Sequence, residues 1–118
     1  MRGDEQRVVD AFCRWLEASE WEIEREQEFV DVVAKRDGIT LYAEAKGRTT
    51  DIGLDVDTMY GQILRRMPIG EDPNGRFAVV VPSGACAAAL RVSQRVRELL
   101  RIEVYCVDEQ GEVVPVEE

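Results

Sequence analysis

The chain has 118 residues, 45% of them hydrophobic and 33% charged, which suits one domain over residues 1–118 and leaves no room for a second core. A net charge of −9 argues against a protein that coats nucleic acid by bulk electrostatics. Histidine is absent, which removes Ser-His-Asp triads, imidazole bases and histidine metal sites together, so catalysis would have to use carboxylates, Lys, Tyr, Ser or a hard cation held by oxygen.

No apolar run approaches the ~20 residues that cross a bilayer, and the N-terminus, MRGDEQRVVD, lacks the apolar stretch of a signal peptide. A cytoplasmic protein with no membrane partner is expected. Cys13, Cys86 and Cys106 are odd in number and lack zinc-type spacing, so they are expected to be reduced, mostly core residues.

Residues 4–18 predict a helix, with Val8, Val9, Phe12, Trp15 and Leu16 at three- and four-residue steps and Asp4 as its N-cap. Residues 21–26 alternate apolar or long side chains with glutamates, as a strand with one wet face does. Two further strands, 28–35 and 39–46, flank Asp37-Gly38. A loop over 47–53 leads to a second helix over 54–67, stopped by Pro68. After the turn-rich stretch 69–75, residues 77–81 form an uninterrupted apolar strand expected at the centre of a sheet. A third helix is expected from Ser83 or Gly84 to about residue 100, with Ser83 as its cap, followed by a strand over 102–107 and a short terminal edge. The order α-β-β-β-α-β-α-β implies an antiparallel start feeding a crossover, and so a mixed α/β sheet with helices on its faces.

The hairpin is where the charges become informative. A two-residue Asp37-Gly38 loop pairs Arg36 with Ile39 and brings Asp31 directly opposite Glu44, with Lys46 on the same side as Glu44. Opposed carboxylates at ~5 Å repel by roughly 3 kcal/mol at an effective dielectric of ~20. Lys46 as counter-ion, a shared proton or a bound divalent cation would each relieve that cost; a solvated strand face is the plainer alternative. Of the fifteen basic residues only Lys35 and Lys46 are lysines, which suggests that position 46 wants a compact ammonium.

These residues resemble the PD-(D/E)xK nuclease superfamily, nearest in pattern to Holliday-junction resolvases and Mrr-type nucleases. The resemblance rests on FVDVVA with Asp31, YAEAKGR with Glu44-Ala45-Lys46, their thirteen-residue separation and the element order, and it covers roughly residues 4–82. It implies a restriction-endonuclease-like α-β-β-β-α-β core with an extra C-terminal helix and strand. It also implies a DNA endonuclease using Mg²⁺ or Mn²⁺, with Asp31, Glu44 and the Ala45 carbonyl as metal ligands and Lys46 positioning the attacking water. Glu5 fits the family's acidic residue on the first helix, and Gln62 its glutamine on the following helix. The fuller Gln-x-x-x-Tyr pattern is absent, because Arg66 stands where Tyr would be, and no Pro precedes Asp31. A catalytically inactive nuclease-fold module of a repair or defence system is the alternative.

Arg48, Arg65, Arg66, Arg91 and Arg95 are the candidates for a DNA track, with Arg91 and Arg95 one turn apart on the expected third helix. Glu20, Glu22, Glu24, Glu26 and Glu28 form one alternating acidic row, of which Glu22, Glu24 and Glu26 are expected to guard an edge strand, and Glu117-Glu118 add acid at the tail. A domain this small holds no separate sequence-reading module. Specificity is therefore expected from DNA structure or a protein partner, and duplex cleavage would be easier for a homodimer.

Overall fold

The computed structural model describes residues 2–27, 30–48, 50–67 and 73–116. Helix α1 (Arg2–Ala18) leads into strands β1 (Glu22–Gln27), β2 (Val30–Arg36) and β3 (Ile39–Ala45). Helix α2 (Ile52–Arg65) and strand β4 (Arg76–Pro82) follow, then a 3₁₀ turn (Ser83–Ala85), two short helices α3 (Cys86–Ala89) and α4 (Gln94–Leu100), and strands β5 (Ile102–Val107) and β6 (Val113–Pro115). The six strands form one sheet in sequence order, parallel at β3–β4 and β4–β5 and antiparallel elsewhere. This is the mixed α/β architecture expected, consistent with the restriction-endonuclease-like fold.

Strand β4 shows why its sequence is apolar without a break. Ala78 and Val80 face the core under α1, while Phe77, Val79 and Val81 face the core under α2 and α3. A strand buried on both faces has no wet side to alternate with. On α1 the apolar stripe Val8, Phe12 and Leu16, at four-residue steps, packs on the first of these faces. On α2, Val56, Met59, Tyr60 and Ile63 cover the second.

The Asp37-Gly38 turn has positive φ at both residues, 53° and 78°, the twist that a two-residue hairpin loop needs. The register follows from it: Arg36 pairs with Ile39 and Val32 with Ala43. β1 is an edge strand, as its acidic row suggested, with Glu22 and Glu24 exposed.

Four expectations are corrected. Helix α1 begins at Arg2, so Asp4 lies inside its first turn; the Asp4 carboxylate accepts from Arg7 Nε at 3.1 Å and from the Arg48 N–H, tying the helix to the segment after β3. The third helix is not continuous. It breaks at residues 90–93, where Ser93 restarts it as the N-cap by accepting the Val96 N–H at 3.3 Å. Ser83 does not cap that helix: its hydroxyl donates to the Val107 carbonyl at 3.2 Å. Cys86 and Cys106 are disulfide-bonded, with Cα atoms 6.0 Å apart, because β5 lies beside the start of α3; Cys13 is a buried thiol. Pro68 as a helix stop, most of the 69–75 turn, Glu28 and Glu117-Glu118 lie outside the described residues. Among the described residues no helix is long and apolar enough to cross a membrane.

Candidate metal centre

The candidate site lies where the hairpin arms part. The β2–β3 ladder runs to Val32–Ala43, and beyond it a side chain takes over: Asp31 Oδ2 accepts the Ala45 N–H at 2.9 Å. Asp31 is half-buried, and Glu44, opposite it, is only 3% exposed. Glu44 falls between Tyr42 and Lys46 on the strand, on the side of the sheet that α2 covers. Lys46 is half-buried, and its backbone N–H donates to the Val80 carbonyl at 3.0 Å, extending the parallel pairing with β4.

Glu44 senses its surroundings. Burial first, then the Asp31 charge and a hydrogen bond with Asp31, push the Glu44 carboxyl up to about 7, and the nearby Arg66 guanidinium offsets this only in part. Arg66 is the C-cap residue of α2, and its Nη1 donates to Glu44 Oε1. The counter-charge beside the pair thus comes from Arg66 rather than from Lys46. That contact spans 22 residues of sequence, and only the packing of α2 on the sheet creates it. The one signal for it in the chain is that Arg66 follows Gln62 by four residues and so shares its helix face. Gln62 is half-buried there.

Glu5 reaches the neighbourhood by its backbone. Gly47 packs against the first turn of α1 so closely that a Cβ at 47 would stand 2.3 Å from the Glu5 nitrogen and 2.7 Å from the Asp4 carbonyl carbon. Yet α1 covers the opposite face of the sheet from Glu44. Among the described residues, no group of three or more His, Cys, Asp or Glu side chains stands close enough to hold a metal ion, so Glu5 does not join Asp31 and Glu44 as a third carboxylate.

The arginines do not form one track. Arg66 is committed to Glu44. Arg48 is 72% exposed and sits 3.6 Å from Glu109. Arg65 and Arg95 are exposed; Arg91 is also exposed, and its Nη1 lies beside Gly53 at the start of α2. Arg91 and Arg66 thus mark opposite ends of a helix about 20 Å long at ~1.5 Å per residue. Arg97, on α4, is 5% exposed and turned inward, its Nε donating to the Val92 carbonyl at 2.9 Å. A cleft of about 180 Å³ opens beyond the carboxyl ends of β3 and β4, with Gly47, Arg48, Pro82 and Ser83 in its walls. Asp31, Glu44 and Lys46 do not line it.

The donor set fits a hard divalent ion in kind: two carboxylates and a nearby peptide carbonyl, all oxygen. The charge of Asp31 beside the buried Glu44 carboxyl is what a cation between them would offset.

No family model and no curated protein matches the chain. Solved structures do resemble it. A fdxN element excision controlling factor protein from Anabaena variabilis superposes with a TM-score of 0.65 at 16% identity, over 95% of this chain and 99% of that one. An XisH family protein from Nostoc punctiforme PCC 73102 superposes with a TM-score of 0.60 at 17% identity, over 94% and 99%. At such identities the likeness is one of fold.

Proposed function

We propose that the chain is a Mg²⁺- or Mn²⁺-dependent nuclease that hydrolyses phosphodiester bonds of DNA, centred on Asp31, Glu44 and Lys46. The observation that carries this reading is the buried Glu44 carboxyl held against Asp31 at the parting of the hairpin, where a sheet would otherwise hold apolar residues. Asp31, Glu44 and the Ala45 carbonyl would hold the ion. When bound, it polarises the scissile phosphate and acidifies a water. Lys46 orients that water and offsets charge on the phosphate, a role for a compact ammonium. Gln62, one turn before Arg66 on α2, would serve the same site, whereas Glu5 would support it through the backbone packing at Gly47 rather than as a ligand.

A second reading is a nuclease-fold module without catalysis, favoured by the Arg66–Glu44 ion pair and by the two-carboxylate count. One neighbour in fold is named an fdxN element excision controlling factor protein, a name that suits either reading. Isothermal titration of Mn²⁺ separates them. Binding in the wild type that vanishes in Glu44→Ala supports the nuclease. Equal heats in both proteins, with and without a DNA duplex, favour the module.

A further inference from the structure

Arg66 occupies the oxygen of Glu44 that the proposed function gives to a cation. We propose that Arg66 is a positioning residue that couples metal binding to nucleic-acid binding: it holds Glu44 while no phosphate is present and releases it when a phosphodiester offers a second anion. The inference rests on the metal-dependent reading above.

Three observations lead to it. First, the partners are unequal. Glu44 is buried in the sheet, whereas the Arg66 side chain is 29% exposed at the end of α2, so Arg66 is the member with somewhere to go. Second, a guanidinium carries five N–H donors in a planar fork that suits phosphate as well as carboxylate. A DNA phosphate beside the carboxylate pair therefore meets Arg66 on a side chain that solvent already reaches. Third, the backbone work of Arg66 is independent of its side chain: its N–H caps α2 by donating to the carbonyls of Gln62, Ile63 and Leu64. The guanidinium can swing without unwinding the helix.

The physics then fixes the sign. A guanidinium and a divalent cation on one carboxylate repel each other, so each weakens the other's hold on Glu44. A phosphodiester that draws Arg66 away removes that competition, and the ion in turn strengthens phosphate binding by the same factor. Where the superfamily pattern has a neutral Tyr, this chain has a cation. The arrangement would leave the metal site incomplete until substrate arrives.

The test is a titration of Mn²⁺ into Lys46→Met and into Lys46→Met/Arg66→Gln, each with and without a short DNA duplex. The shared Lys46→Met change keeps the duplex intact under the proposed function. Glutamine keeps a donor at position 66 but no charge. The pH is held well above 7, so that Glu44 is ionised throughout. Without duplex, Arg66→Gln should raise Mn²⁺ affinity about tenfold. Adding duplex should raise it in both proteins, because the ion contacts the phosphate directly, but about tenfold more when Arg66 is present than when it is not. Equal Mn²⁺ affinities with and without the guanidinium, or an equal response to duplex, would overturn the coupling and leave the metal site standing. No Mn²⁺ binding to either protein, duplex present or absent, would overturn the metal reading and the coupling with it.

Discussion

Glu24 and Glu44 are glutamates of one sheet, two strands apart, and their surroundings make them opposites. Glu24 lies on edge strand β1, 48% exposed, with Lys35 Nζ at 3.9 Å across the pairing. Water screens it, and such a pair contributes little. Glu44 lies on the inner strand β3 under α2, 3% exposed, with Asp31 beside it and Arg66 upon it. The number of acids in a region therefore says little about function. What distinguishes the second region is that a carboxyl buried away from solvent is held against a second, half-buried one.

The largest test of this contrast is catalytic. Asp31→Ala and Glu44→Ala should each lower Mn²⁺-dependent cleavage by more than the roughly 10–100-fold that supporting residues of a metal site command, whereas Glu24→Ala should leave it within about twofold. A gel assay on labelled duplex reads all three. Equal loss at Glu24 would erase the distinction.

The next is thermodynamic and needs no substrate. Because the folded state holds the Glu44 proton more tightly than the unfolded chain, this carboxyl favours folding below about pH 4.5, and that contribution is lost as pH rises through about 7. At about 1.4 kcal/mol per pKa unit the loss is about 3 kcal/mol. Urea unfolding without metal at acid and alkaline pH should show this loss in the wild type and not in Glu44→Gln; Glu24→Gln should keep the wild-type slope. Identical slopes in all three proteins would show that Glu44 is not the group responsible.

The support beneath the site can be broken from the other side of the sheet. Gly47→Ala places a methyl against the backbone of Asp4 and Glu5, and should destabilise by about 1–3 kcal/mol, since backbone must shift. Gly61→Ala, inside α2 where a Cβ would meet nothing within 4 Å, should instead stabilise by up to about 1 kcal/mol. Chemical denaturation of the two variants, read together, separates a close approach from an ordinary helical glycine.

The hairpin was legible in advance because local rules govern it: Asp37-Gly38 sets the turn, the turn sets the register, and the register puts Asp31 opposite Glu44. The apolar run of β4 was legible for the same kind of reason. What was not legible depends on packing between distant segments. Arg66 reaches Glu44 only after α2 has docked, and Cys86 meets Cys106 only after β5 has been placed beside α3. The break in the third helix had a local sign in Ser93, outweighed by the helix-favouring residues on both sides of it. The spacing of Arg91 and Arg95 implies one turn of one helix, and that break parts them. The resemblance implies Glu5 as a companion of the carboxylates, whereas α1 packs on the other face of the sheet.

The most direct test of the central claim is cleavage of a labelled DNA duplex by the purified wild type and by Asp31→Ala, side by side, in Mg²⁺ or Mn²⁺. Nicking by the wild type should need the divalent ion and disappear in Asp31→Ala while circular dichroism shows the fold retained. Nicking that persists in Asp31→Ala would contradict it.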